Sequence, residues 1–262
     1  EVLAPDINSS RGDFTPVGEV VRFGLYGIKN VGDGAVDHVL AERDRGGPFK
    51  DLFDLCNRID TTVVNRRALE HLIKSGAMDS LVAGAGRGAD RSAADTEARH
   101  LLLANLDTAM KWGAAQREQA ALGQFSLFGA EQVPPPRLED APPIDQLTLL
   151  RYEKEALGLY ISAHPMNSYP GLADAASVSV DGIDRAFRAF QQEVQQPGKP
   201  QGGGRMRLVL AGLLQNVVKR PTRKGGMMAR FEVADESGAR EVLAFGRTFD
   251  SVAPLLAEDA PV

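Results

Sequence analysis

The sequence predicts an α+β multidomain chain, a mainly helical part followed by a short β part, and three observations predict it. Apolar residues recur at helical spacing from Arg22 to Leu122. Beyond Arg205 the spacing shortens to that of strands, and Pro134-Pro135-Pro136, Pro142-Pro143 and the stretch Pro197 to Gly204 lie between the two regimes. A length of 262 residues suits two modest domains and a linker. With 43% hydrophobic and 25% charged residues the chain can build a core, which excludes a wholly disordered or collagen-like protein. No segment approaches the roughly 20 apolar residues of a membrane-spanning helix, and no charged-then-apolar leader opens the chain, so a cytoplasmic location without a membrane partner is expected. A single cysteine, Cys56, excludes internal disulfides and any multi-cysteine zinc site. His38, His71, His100 and His164 are too scattered to suggest a metal cluster. The net charge of −5 confines any nucleic-acid contact to local basic patches. The chain opens on Glu1 rather than methionine and stops at Ala260-Pro261-Val262 soon after a strand-rich stretch, so a piece of a longer protein is expected.

Taken in order, Gly27-Ile28-Lys29-Asn30-Val31-Gly32-Asp33-Gly34 reads as a glycine-bearing turn, and Ala35, Val36, Val39 and Leu40 after it fall on one helical face. Gly46-Gly47-Pro48 breaks that helix. Leu52, Phe53, Leu55, Cys56 and Ile59 resume a stripe that Asp60-Thr61-Thr62 ends, and Val63, Val64, Leu69, Leu72 and Ile73 mark a further helix closed by Ser75-Gly76. The plan is helix, hairpin, helix, given twice. Ala83 to Gly88 is a glycine-rich insertion, and Ser92 to Leu122 is one or two helices ending in Gly123-Gln124-Phe125-Ser126-Leu127-Phe128-Gly129. The prolines after it have the missing N–H groups and fixed φ of a linker. Leu147 to Leu159 returns to helix and stops near His164-Pro165. Strands are expected at Met206 to Val218, Met227 to Val233 and Arg240 to Phe245, with a turn at Glu236-Ser237-Gly238 and a short helix from Thr248 to Leu256. Three strands and a helix open an OB-fold, a five-stranded Greek-key barrel. The fold class is therefore a mainly α helix-hairpin-helix domain followed by a truncated OB-fold β-barrel. With three of five strands, the first and third are each expected to show an unpaired edge.

Three places carry chemistry. A tight turn running into a helix N-terminus aims backbone N–H groups outward, where they suit a phosphate, and Lys29, Asn30, Val31, Gly32 and Gly34 form such a turn. Helix-hairpin-helix modules hold the DNA backbone in this way without reading bases. Their turn usually reads glycine, hydrophobic, glycine; Asn30 takes the first glycine's place and visits the left-handed region more easily than most residues. The second unit brings Asn65, Arg66 and Arg67 to a similar helix start. An ordinary glycine turn and a solvated arginine face are the plain alternatives. At the second place, Gln124, Ser126, Leu127 and Phe128 form a short peptide able to dock by one amide and two apolar side chains, or to staple the end of the long helix into its core. Third, every charged residue from Gln201 to Phe231 is positive, and Lys219, Arg220, Arg223 and Lys224 between the first two strands suit a single strand. Phe231 and Phe245 are the nearest aromatics, and a solubilising hairpin tip is the competing account. The carboxylate pairs Asp235-Glu236 and Glu139-Asp140 lie in a turn and a linker and read as surface charge. His164 reads as structural and Trp112 as core packing, so no catalytic residue is proposed.

At these residues the chain resembles a known family, the bacterial replicative DNA polymerase III alpha subunits of polymerase family C. The resemblance rests on APDINSS (Ala4 to Ser10), YGIKNVGDGAV (Tyr26 to Val36), GGPFKDLFDLCNRID (Gly46 to Asp60), VNRRALEHLIKSGAMD (Val64 to Asp79), GQFSLFG (Gly123 to Gly129), EKEALGLYISAHPM (Glu153 to Met166) and the strands after Arg205. It implies the end of the fingers at 1–25, a clamp-binding domain with tandem helix-hairpin-helix at 26–129, a proline-rich and helical connector at 130–204, and the start of an OB domain at 205–262. It implies further that Gln124, Ser126, Leu127 and Phe128 grip the sliding clamp, that the Asn30 to Gly34 turn contacts duplex DNA, and that single-stranded template DNA and other replisome subunits are partners. The catalytic aspartates of this family belong to a palm that precedes this segment. The parent chain would be a DNA-directed DNA polymerase using Mg2+, whereas this segment would need no cofactor and be inactive alone. The alternative is a stand-alone repair or recombination accessory protein using the same modules.

Overall fold

The computed structural model describes residues 2–82, 91–121, 134–142, 144–169, 171–194, 206–223 and 225–262. They form two compact units, Glu1–Ala163 and His164–Val262.

The first unit opens on a small sheet that the sequence did not announce: β1 (Val2–Leu3), β2 (Thr15–Val17) and β3 (Val20–Arg22). Strand β3 lies in the middle, parallel to β1 and antiparallel to β2. Strands of two or three residues complete no period, so alternation could not reveal them. Helices α1 (Asp33–Gly46), α2 (Leu52–Arg58), α3 (Arg66–Lys74), α4 (Arg91–Ala121) and α5 (Gln146–Leu157) follow. Each of the expected helices is present. Asp51, Asn65 and Asp145 cap α2, α3 and α5 by accepting from the N–H groups of Asp54, Ala68 and Thr148. Helix α5 ends at Gly158, whose φ of 82° supplies the left-handed stop.

Val36, Leu52, Leu55, Cys56, Leu69, Leu72, Leu102, Leu106 and Ala156 pack into one core. Trp112 packs against it, edge-on to Phe53. Inside this apolar body sits an ionic cluster. Arg99 Nε lies 3.0 Å from Asp79, and Arg99 Nη1 lies 3.1 Å from Glu153. Burial opposes the guanidinium charge, but Asp79 and Glu153 outweigh it and its pKa is raised. The other Glu153 oxygen accepts from the backbone N–H groups of Ile161 and Ser162, so the cluster ties α4, α5 and the segment after α5 together.

The second unit contains α6 (Ile183–Val194) and an antiparallel meander of β4 (Leu213–Pro221), β5 (Met227–Asp235) and β6 (Gly238–Phe245), followed by α7 (Gly246–Val252). The meander and its helix are the arrangement expected at the start of an OB barrel. Leu214, Ala229, Phe231, Val233, Ala244, Phe249 and Leu256 form its core. Two expectations are corrected. The first strand begins at Leu213, not Met206, because Val209 exchanges hydrogen bonds with Ser177 instead of entering the ladder. Its edge is also not bare. Gly212 and Val262 bond reciprocally, Leu214 bonds to Ala260 and Asp259 to Leu214, so residues 259–262 cover the beginning of β4. Among the described residues β6 pairs with β5 alone.

Strand β4 carries a bulge between Gln215 and Val218, with Asn216 at a φ of 55°. The Glu258 carboxylate receives the N–H groups of Asn216 and Val217 at 2.9 and 3.0 Å, filling the bonds that the bulge removes from the ladder. No helix among the described residues is long and apolar enough to cross a membrane.

Candidate nucleic-acid interface

The first hairpin is built from its hydrophobic anchor outward. Val31 is buried and pins the turn to the core, while Lys29, Asn30, Gly32 and Gly34 are exposed around it. Asn30 adopts a φ of 62°, the left-handed geometry that a glycine usually supplies here. Gly32 occupies the N-cap position of α1 and offers no side chain, so the first amides of that helix are capped by none. A Cβ built on Gly32 or Gly34 would meet no atom within 4 Å, so the approach to these amides is open. Lys29 is exposed in the turn, with its ammonium group next to Gly158 at the end of α5. Asp33 and Asp37 oppose its charge, although Asp37 accepts a 2.5 Å hydrogen bond from Tyr26.

Two contacts fix this turn to other helices. The Lys29 N–H donates to the Ala156 carbonyl of α5 at 2.8 Å, and the Asn30 side-chain amide donates to Nε2 of His71 on α3 at 3.2 Å. His71 was missed by a reading that asked whether histidines cluster. A polar residue set among Leu69, Leu72 and Ile73 was the available signal.

The second hairpin is differently equipped. Asn65 spends its side chain on the cap of α3. Arg66 reaches Asp107 of α4 at 2.7 Å and Glu70 at 3.0 Å. Its hydrogen bond to Asp107 raises its pKa and lowers that of Asp107. Arg67 is exposed.

In the second unit, Lys219 donates to the Ala253 carbonyl at 3.0 Å, and Arg223 is exposed in the turn after β4. Arg220 stands opposite Met228, which stands opposite Phe245, so these three side chains share one face of the sheet. Phe245 is 51% exposed there, whereas Phe231 is in the core. Val218, Arg230 and Leu243 form the next row on the same face. Gln124, Ser126, Leu127, Phe128 and Lys224 lie outside the described residues, as does the insertion at Ala83 to Gly88. Among the described residues no group of three or more His, Cys, Asp or Glu side chains is placed to hold a metal ion.

Residues 1–92 match the family model of the helix-hairpin-helix motif. The DNA polymerase III subunit alpha of Thermus aquaticus is 44% identical over 261 residues, covering 100% of this chain and 19% of the relative. Over its whole length the chain is homologous to DNA polymerase III alpha subunits. The Deinococcus radiodurans subunit is 44% identical over 265 residues, 99% of this chain and 18% of its own, and that of Escherichia coli K12 is 32% identical over 265 residues, 99% and 20%. The chain thus spans about a fifth of the length of these alpha-subunit relatives.

Proposed function

We propose that this chain is a non-catalytic segment of a replicative DNA polymerase that holds duplex DNA by its backbone and tethers the polymerase to a sliding clamp. The observation that carries the duplex part is the open, uncapped start of α1 at Gly32, with Lys29 in the turn before it. Phosphate oxygens accept from such amides without regard to base identity, so binding is independent of sequence and falls steeply with salt. Val31 serves as the anchor, and Lys29, Asn30, Gly32 and Gly34 as the contact. Arg67 adds charge, and Asn65 and Arg66 act by building the second hairpin.

The tether is assigned to Gln124, Ser126, Leu127 and Phe128, within a clamp-binding domain at 26–129. Tethering raises the local concentration of DNA, which lets a weak backbone grip suffice. The face bearing Arg220, Arg230 and Phe245 combines cations with a stacking ring and is assigned to single-stranded template. Synthesis itself belongs to the parent polymerase, a nucleotidyltransferase acting in the cytoplasm at the replication fork. Its Mg2+-binding palm is not part of this segment, so the segment alone is inactive.

Two substitutions test the halves separately. Gly32→Glu should abolish most binding to a labelled duplex by crowding the turn and repelling phosphate; unchanged affinity would remove the first hairpin from the account. Gln124→Ala with Phe128→Ala should abolish calorimetric binding to the cognate clamp with an unaltered circular dichroism spectrum, since a short motif concentrates its energy in anchors worth about 2 kcal/mol or more each. Clamp binding at the parent's strength would place the tether elsewhere.

A further inference from the structure

An asparagine in the left-handed region carries a backbone cost that a glycine would not. Residue 30 repays it with a bond that a glycine could not make: its amide reaches across to α3 and donates to His71 Nε2. An amide NH2 can only donate, so the imidazole nitrogen accepts and the ring proton sits on Nδ1. That Nδ1 is buried and has no hydrogen-bond partner among the described residues. The histidine side chain is 5% exposed, in a stripe where leucine would fill the space without an orphaned donor. The contact with Asn30 is what the imidazole offers in place of simple packing.

We propose that His71 is the positioning residue of the first hairpin, an imidazole borrowed from the second hairpin's helix that holds the Asn30 turn so that the amides at Gly32 and Gly34 face one phosphate together. This rests on the reading of that turn as a duplex contact. The turn is held on both sides of the Lys29–Asn30 peptide, by Ala156 O through the Lys29 N–H and by His71 through the Asn30 side chain. The amides that follow are then the oriented end of a braced loop. The charged groups around the imidazole suit a neutral acceptor. Glu155 of α5 is 3.7 Å from Nε2, but Glu155 and Glu70 are both engaged by Lys74, each at 2.9 Å, and Arg67 on the same helix disfavours protonation, while Lys29 lies in the turn itself. Burial pushes the His71 pKa down as well. Positioning of this kind raises affinity by removing conformations that cannot bind, without adding a contact to DNA.

The test uses the whole chain, a short labelled blunt duplex at fixed salt, and a parallel thermal melt. Asn30→Gly keeps the left-handed turn and removes the bond, and His71→Leu keeps the packing and removes the acceptor. Each should weaken duplex binding about fivefold, the worth of about one hydrogen bond, with a melting temperature at or above the parent's. The double variant should bind no worse than either single one, because both remove the same contact. His71→Gln, which restores an acceptor at the Nε2 position, should recover most of the affinity. Parent-level binding by Asn30→Gly, additive losses in the double variant, or losses that track a lowered melting temperature would each overturn the proposal. Gly32→Glu run alongside separates the two levels of the argument. If it loses binding while Asn30→Gly does not, the positioning role alone falls; if it too binds like the parent, the duplex reading falls and the positioning role with it.

Discussion

At the first hairpin the helix start carries Gly32 and no capping side chain, with open space before the backbone. At the second, Asn65 caps α3, Arg66 is drawn to Asp107 and Glu70, and just past its far end Asp79 joins the buried cluster with Arg99 and Glu153. Two copies of one plan have thus been turned to different ends. The first leaves the start of α1 without a side-chain cap, whereas the second spends Asn65 and Arg66 on its own helix and on α4. Repetition in sequence implies a repeated shape, but whether the repeated site binds depends on what its side chains already hold.

The largest effect that sharpens this comparison is expected at the brace. Arg99→Leu leaves Asp79 and Glu153 facing an apolar side chain, and loss of one member of a buried ionic cluster costs about 3–5 kcal/mol. Denaturant unfolding should show a loss of that size, and a loss below about 1 kcal/mol would mean that the second hairpin does not depend on the cluster. A reciprocal exchange of caps is expected to be milder. Asn65→Ala should cost about 1 kcal/mol of stability and leave duplex affinity unchanged, while Gly32→Asn should add a few tenths of a kcal/mol and weaken duplex binding by occupying the first amides of α1. If both variants weaken DNA binding alike, the two hairpins are functionally equivalent and the contrast breaks.

The smallest effect is proton-linked. Burial holds the His71 pKa in the folded chain below its usual 6.5, so the unfolded chain binds the extra proton first as the pH falls. The stability this group contributes is present above about 6.5 and is lost as the pH drops through the folded-state value. Melting temperatures between neutral pH and pH 5.5 should decline in the parent and decline less in His71→Leu. Glu70 and Asp107, whose pKa values are lowered below those of ordinary carboxylates, act in a more acidic range. Parallel slopes in the two proteins would show that His71 titrates as an exposed imidazole.

The helices of the first unit were legible because their apolar stripes are local. Their caps Asp51, Asn65 and Asp145, the stop of α5 at Gly158 instead of near His164-Pro165, and helix α6 were not read from the residues. The left-handed asparagine at position 30 was legible for the same reason, since the constraint lies in one residue and its neighbours. What else could not be read joins distant positions. Asn30 and His71 are 41 residues apart, and Arg99 and Glu153 are 54 apart, and neither pair follows a period. Exposure on the β face was equally hidden: Phe231 and Phe245 look alike as letters, and the register sends one to the core and the other to the face shared with Arg220.

The closure of β4 bears on how the second unit comes to be folded. Its bulge is completed by Glu258, which stands 42 and 41 positions after the amides it receives, and its leading edge by residues 259–262. Until those residues are available, Asn216 and Val217 have no internal acceptor and the strand's start has one bare side. Such long-range closures form late and slowly, because the intervening loop must be ordered before any bond rewards it. On a ribosome, where earlier segments emerge first, the start of β4 therefore waits for residues 258–262 to be synthesised before its bonds can close.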